Sequence, residues 1–244
     1  VISRFFLFFN MKSFPRIKGC NLFLTGGYVR DTLLDNPIKD RDFAVQTNIS
    51  WELFLQRINE IGKIYQTNEE CFTVRCNIKG ENIDLAFLRK EEKYLDGRHP
   101  SLVMRTNSLE SDGSRRDFTI NSMYMNNKGE ILDNFKGKTD IDAKLIRCVG
   151  DADKRFREDY LRILRAIRFS IQLEFKIENK TFYAMKRNVK GLGIISVDRV
   201  KDELNKCLKM DTKKTIEQVL KIEGMTKILD SMGIYFTAIN KRRR

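Results

Sequence analysis

The sequence predicts an α+β protein. A head over residues 11–150, with a small mixed sheet and helices, is followed by an α-helical region over 151–244. Two observations predict this. Short apolar runs of strand character alternate with helical spacing through the first part, and from Asp151 the pattern turns to nearly continuous helix. Strands are expected near 21–25, 42–46, 71–78, 82–88 and 130–133, and helices near 28–34 and 51–61. Beyond them, Asp151 through Leu173 carries Phe156, Tyr160, Ile163, Leu164, Ile167 and Ile171 as a helical apolar stripe. Breaks are expected at Gly191-Leu192-Gly193 and near Met210-Asp211. Residues 1–10, VISRFFLFFN, stand apart and stay unassigned. They read as a short organelle presequence, an upstream reading-frame artefact or a hydrophobic first strand. Met11 would make a start in its own right.

At 244 residues, with 41% apolar and 32% charged residues, the chain can bury a substantial core as one large domain or two small ones. No apolar run reaches the roughly 18 residues that a membrane span needs. Five cysteines without a Cys-x-x-Cys pattern fit a reducing compartment, with neither a disulfide framework nor a zinc site. A cytoplasmic location is expected, or an organellar one if residues 1–10 are a presequence. The single histidine, His99, removes most histidine-based acid–base and metal chemistry, so any catalysis must run on carboxylates and cations. The net charge of +13 is uneven: residues 151–244 hold 23 Lys and Arg against 13 Asp and Glu. A basic half beside a carboxylate-bearing half suits a polyanion gripped at one place and processed at another.

The segment Thr25-Gly26-Gly27-Tyr28-Val29-Arg30-Asp31 is followed by Asp40-Arg41-Asp42 at the start of an apolar strand. Gly26 and Gly27 fall where a strand must turn sharply into a helix, whose free N–H groups form a seat for phosphate oxygens. Arg30 could add a forked contact to the same phosphates. An ordinary strand–turn–helix corner reads the same way. Asp40 and Asp42 alternate on a strand and so share a face, where two carboxylates repel unless a cation lies between them. Hard oxygen ligands suit Mg2+, or Mn2+, in a two-ion arrangement; a solvated turn is the plain alternative. Asp84, inside the apolar run Ile83–Phe87, is either a third carboxylate of that site or an edge-strand charge facing solvent.

The stretch between Arg89 and Arg115 reads as a long polar loop containing Asp96-Gly97-Arg98-His99-Pro100. Next comes Ser114-Arg115-Arg116-Asp117-Phe118-Thr119-Ile120-Asn121. Its arginines, aspartate and asparagine could position a ribose, a triphosphate or a primer end, or form a surface salt bridge with a helix cap. In Glu158-Asp159-Tyr160-Leu161-Arg162-Ile163-Leu164-Arg165-Ala166-Ile167-Arg168, helical spacing would put Asp159 beside Arg162 and Arg162 beside Arg165. A carboxylate acceptor next to a guanidinium donor matches the edge of cytosine or adenine and repels uracil and guanine. A helix with ordinary ion pairs is the other reading.

LTGGYVRDTLLDNPIKDRDFAV, RRDFTINSMYMN and EDYLRILRAIRFSIQLEF resemble, in order, the motifs of class II tRNA nucleotidyltransferases. These are the CCA-adding enzymes, closely similar to bacterial poly(A) polymerases, of the polymerase-beta-like nucleotidyltransferase superfamily. Residues 133–151 and 195–204 resemble further segments of that family. The resemblance implies a nucleotidyltransferase head and a helical nucleotide-recognition neck. Asp40 and Asp42 would bind the catalytic Mg2+ ions, with Asp84 at a strand position where the family usually has an acidic residue. Gly27, Arg30 and Arg116 would contact the nucleotide and Asp117 would lie near its ribose. Asp159 and Arg162 would select the base, and Arg165 and Arg168 would help hold the triphosphate. The implied partners are tRNA, CTP and ATP, with no membrane; the implied chemistry is addition of C and A to tRNA 3′ ends. Poly(A) synthesis, CC-only or A-only addition, and a non-catalytic RNA-binding fragment are the alternatives. Part of Lys90–Arg115 would be the family's flexible loop. Where the family has a glycine after the Leu-Leu pair, this chain has Asp35, and Ser122 replaces a common alanine. The family continues into body and tail domains, whereas this sequence ends at Lys241-Arg242-Arg243-Arg244. The readings are a fragment, a natural minimal enzyme, or a chain that needs a partner, either a second copy in a homodimer or a protein supplying the missing domains.

Overall fold

The computed structural model describes residues 14–38, 40–94 and 100–235. Residues 1–10, and Asp96 through His99 of the expected loop, lie outside them. The chain divides into two compact units: one of residues up to Glu91 with Val103–Ile141, the other of Glu92–Leu102 with Asp142 onward.

In the first unit, among the described residues, seven strands form one mixed sheet. They are β1 (Cys20–Thr25), β2 (Arg41–Thr47), β3 (Gly62–Asn68), β4 (Thr73–Ile78), β5 (Glu81–Phe87), β8 (Tyr124–Met125) and β9 (Ile131–Leu132), in the order β3-β4-β5-β2-β1-β8-β9. Neighbours are antiparallel except β2 and β5, which run parallel. Strand alternation separates the two faces of β4 and β5. Val74, Cys76, Ile78, Ile83, Leu85 and Phe87 are buried on one side, while Arg75, Asn77, Asn82 and Asp84 face the other. The buried face is covered by helix α2 (Trp51–Asn59), started by the Ser50 hydroxyl accepting from the Leu53 N–H. Its spacing aims Trp51, Phe54 and Ile58 inward, and Phe54 and Trp51 meet the Phe87 ring edge-on at 4.7 and 5.5 Å.

Helix α1 (Gly27–Leu33) follows β1, and α3 (Leu109–Ser114) and α4 (Gly137–Asp142) complete this unit. The expected strands and helices of the head are present, but β3, β6 (Arg89–Tyr94), β7 (Pro100–Arg105), β8, α3 and α4 were not anticipated. β3 is an edge strand whose second half is exposed, so no apolar alternation marks it. β6 and β7 form a two-stranded ribbon where a loop was expected, because charge, not hydrophobicity, dominates β6. Helix α3 hides in the polar run after it.

The second unit is helical: α5 (Ala152–Glu158), α6 (Leu161–Gln172), α7 (Asn179–Asn188), α8 (Val197–Met210), α9 (Thr212–Lys221) and α10 (Met225–Ser231). A short parallel bridge joins β10 (Leu145–Ile146) to β11 (Lys176–Ile177). The break at Gly191 is a 3-10 segment over Val189–Ile194, and Asp211 ends α8 and caps α9 by accepting from the Lys214 N–H. The expected continuous helix from Asp151 to Leu173 is corrected: the backbone is extended at Asp159 (φ −151°, ψ 102°), which separates α5 from α6. Among the described residues no helix is long and apolar enough to cross a membrane.

Phe54, fully buried against Trp51 and Phe87, anchors the covered sheet face. Phe54→Ala should lower unfolding stability by about 3–5 kcal/mol, read as a shifted denaturation midpoint with an unchanged slope.

Candidate active site

The open face of the sheet carries chemistry in rows. Pairing aligns Asp42 of β2 with Asp84 of β5, Asp84 with Arg75 of β4, and Arg75 with Gln66 of β3. One row along, Ala44, Ala86, Thr73 and Asn68 align in the same way. Small residues in that second row leave a concavity of about 380 Å³, lined by residues of both rows and by Thr25, Asp112, Arg115 and Arg116.

Asp42 sits on this concave floor, open to solvent yet crowded by protein. Burial of its carboxylate, then the charges of Asp84 and Asp40, raise its pKa above the usual carboxylate range; Arg116 and Arg75 pull the other way. Asp40 immediately precedes β2 and is exposed. Asp84 lies on an interior strand, not an edge, and its carboxylate takes a bidentate ion pair from Arg75, Nε–Oδ1 and Nη2–Oδ2 both 2.8 Å. Both partners are solvent-exposed, so this pair sets geometry more than stability.

Gly26 turns the chain from β1 into α1 with φ +64° and ψ −130°, a region that side chains rarely occupy. A Cβ there would lie 3.7 Å from Arg116 Nη1 and 4.0 Å from Asp42 Oδ2. The glycine corner, the carboxylate and the arginine, far apart in sequence, are thus neighbours. A Cβ on Gly27 would lie 3.4 Å from Arg30 Nη2. Arg30 itself is buried. It donates through Nε and Nη2 to Asp31 at 2.9 and 2.7 Å, and through Nη1 to Asn121 Oδ1 at 2.8 Å. Asn121 Nδ2 in turn donates to Asp117 Oδ1 (3.2 Å), which also accepts from the Phe118 N–H. Arg30 and Asp117 therefore tie the glycine-led helix to the Arg-Arg-Asp segment.

Beneath Arg116 is a carboxylate that sequence reading missed. Asp112, 1% exposed, accepts from Arg115 Nε and Nη2 (2.9 and 2.8 Å), Arg116 Nη2 (3.1 Å), the Tyr124 hydroxyl (2.6 Å) and the Arg89 N–H (3.2 Å). Burial alone would raise its pKa; the Arg115 and Arg116 guanidiniums, with the Tyr124 hydrogen bond, outweigh burial and hold it well below the usual range. Arg116 also bonds the Tyr124 hydroxyl and the Asn121 carbonyl, and lies 5.1 Å from the Tyr124 ring centre. The i,i+3 and i,i+4 spacing of Asp112 to Arg115 and Arg116 on a short helix was the available signal. Arg75 was missed too, for lack of any local motif.

In the second unit, Asp159 is not helical: its carboxylate accepts from the Leu161 N–H (3.0 Å) and its carbonyl from the Arg162 N–H (3.1 Å). Arg162 is buried, and its Nη1 donates to the Arg155 carbonyl (3.0 Å) and Glu158 Oε2 (3.1 Å). Arg155 pairs with the other Glu158 oxygen. Arg168 donates to buried Glu203 on α8 at 2.7 Å, and Arg165 and Arg168 flank the Phe169 ring. Tyr160 packs flat on the Gly191 backbone, where a Cβ would lie 2.1 Å from the ring.

Asp40, Asp42 and Asp84 are hard oxygen donors of the kind that suits a divalent cation, and the raised pKa at Asp42 comes first from burial and then from the charges of Asp84 and Asp40. Among the described residues no set of three or more acidic, His or Cys side chains is drawn together as a ready-made cage.

This mixed sheet with its flanking helices is a nucleotidyltransferase-like α+β fold. Residues 22–147 match the family described as poly A polymerase head domain, and residues 174–229 match that described as probable RNA and SrmB-binding site of polymerase A. The chain belongs to the poly A polymerase head-domain family. It is 41% identical over 203 residues to the CCA-adding enzyme of Streptococcus agalactiae, covering 81% of this chain and 49% of that protein. The Bacillus stearothermophilus CCA-adding enzyme, solved in complex with CTP, is similar in structure, with TM-score 0.75 and 33% identity over 86% of this chain and 50% of the other. The Thermotoga maritima CCA-adding enzyme, solved with tRNA_CCA, gives TM-score 0.71 and 29% identity over 86% and 48%. The chain spans about half the length of these relatives.

Asp112→Asn should cost about 3 kcal/mol or more, because it leaves two buried guanidiniums undercompensated. A depressed carboxylate pKa contributes stability above its unfolded value, about 3.9, and loses it as pH falls through the lower folded value. Denaturation measured from pH 7 to pH 2 should therefore show a steeper loss below about pH 4 in the parent chain than in Asp112→Asn.

Proposed function

We propose that this chain catalyses template-independent nucleotidyl transfer, adding C and A residues from CTP and ATP to the 3′ end of tRNA. The observation that carries this reading is the meeting of Asp42, Gly26 and Arg116 on the open sheet face of a chain belonging to this family. A ribose 3′-oxygen forms a bond to the α-phosphorus, the bond from that phosphorus to the bridging oxygen breaks, pyrophosphate leaves, and the hydroxyl proton is lost to solvent. No covalent enzyme intermediate is needed.

Each side chain then has a task. Asp40 and Asp42, with Asp84 beside them, would hold Mg2+, which supplies charge neutralisation and activates the attacking hydroxyl. Gly26 and Gly27 let the triphosphate approach the backbone closely, and Arg116, fixed by Asp112 and Tyr124, opposes the charge developing on the phosphates. Arg30 and Asp117, joined through Asn121, hold the glycine corner and the ribose side in register. Within the second unit, Asp159 would accept from the exocyclic amine of C or A and Arg162, braced by Glu158, would donate to the ring, while Arg165 and Arg168 on the same helix would be the phosphate-holding cations. The family description favours one second reading, poly(A) synthesis, which differs in the length and composition of the product.

Asp42→Asn keeps the shape of the row while removing a charge. Nucleotide incorporation should fall by at least about a thousandfold while tRNA binding, followed by filter retention, stays within twofold. Retained turnover would remove the carboxylate assignment.

A further inference from the structure

The row that holds the carboxylates continues past them. From Asp42 it runs through Asp84 and Arg75 to Gln66 on the outermost strand, with Thr73 and Asn68 one row along. Gln66, Asn68, Thr73 and Arg75 line the same concavity as Asp42 and Arg116. The roles assigned above leave this flank unused.

In phosphoryl transfer the attacking and leaving oxygens lie roughly in line on opposite sides of phosphorus. With the triphosphate at Gly26, Gly27 and Arg116, the leaving pyrophosphate lies on the β1 side of Asp42. The acceptor must then come from the other side, across β5, β4 and β3. That flank is three strand spacings wide, about 14 Å, and its chemistry suits a ribose-phosphate chain. Arg75 spends its Nε–Nη2 edge on Asp84, which fixes the guanidinium on the open face and leaves its Nη1 side to meet a phosphodiester. Gln66, Asn68 and Thr73 offer amides and a hydroxyl for ribose hydroxyls, while Ala44 and Ala86 leave depth. At the sheet edge the register shifts between Ile64 and Gln66, leaving Tyr65 55% exposed with the Lys63 ammonium 5.9 Å from its ring. An aromatic face with a cation beside it suits a stacked base.

We propose that the β4–β3 flank seats the acceptor, the 3′-terminal ribose and phosphodiester of the RNA being extended, with Arg75 as its phosphate contact. This rests on the nucleotidyl-transfer reading above. The test measures labelled CTP incorporation into tRNA lacking its CCA end by the parent chain, Arg75→Ala, Arg75→Lys and Gln66→Ala. Anisotropy of a short single-stranded RNA with a free 3′-hydroxyl is measured in parallel. Arg75→Ala should raise KM for tRNA about tenfold and Gln66→Ala about threefold, with KM for CTP within twofold and partial recovery in Arg75→Lys. Gln66→Ala leaves the Asp84 ion pair intact, so its effect separates acceptor contact from disturbance of the carboxylates. Unchanged KM for tRNA in both variants, a rise confined to CTP, or a fall in kcat alone would overturn the proposal. If the parent chain incorporates nothing, the transfer reading fails by itself. Anisotropy then decides this one: weaker RNA binding by Arg75→Ala supports it, and equal binding overturns it.

Discussion

The cation beside the glycine corner of the open sheet face is held by one buried carboxylate. Asp112 sits under two arginines and a tyrosine and shares its charge between both guanidiniums, Arg115 having Glu91 as a second carboxylate and Arg116 relying on Asp112. Without Asp112, Arg116 would be drawn toward water, away from its place next to Gly26 and Asp42. The Tyr124 hydroxyl donates to Asp112 and accepts from Arg116, so the arrangement is satisfied on each side. Asp112 thus contributes by holding a cation where a polyanion is expected to bind.

A second constraint is spatial. The sheet buries one face under α2 and keeps the other polar and concave, which requires small residues where a core would place large ones. Ala44 and Ala86 meet this need directly above the Asp42 and Asp84 positions. The same face gathers negative charge at its centre, with Arg116 on one side and Arg75 on the other. Burial first, and that crowding second, raise the pKa of Asp42. A desolvated carboxylate with like charges near it, in a cleft, is a mark of functional sites.

Much of this was legible in sequence, for identifiable reasons. Gly26-Gly27 and Asp40-x-Asp42 are local patterns whose spacing reports a turn and a strand directly. Trp51, Phe54 and Ile58 announce α2 through periodicity. What could not be read was long-range or lacked apolar contrast. Asp42 faces Asp84 and Arg75 only through strand pairing, and nothing within a few residues of Arg75 signals that. The β6–β7 ribbon is too highly charged at β6 to show alternation. The break at Asp159 was hidden because the apolar stripe continues on both sides, while the Asp159 carboxylate caps α6 at the Leu161 N–H. Base selection by Asp159 and Arg162 is read from helical i,i+3 spacing and then from resemblance to the family, and the extended backbone at Asp159 differs from the helical neighbours expected.

The central claim is that this chain extends tRNA by nucleotidyl transfer on the open face of its sheet. The most direct measurement supplies the purified protein and Mg2+ with tRNAs ending before CCA, after C and after CC, with each labelled nucleotide given singly and together. Products are resolved to single nucleotides. The account predicts C, C and then A, followed by arrest. Failure of the folded, RNA-binding protein to incorporate any nucleotide would contradict it, and a long tract of A would transfer the site to poly(A) synthesis.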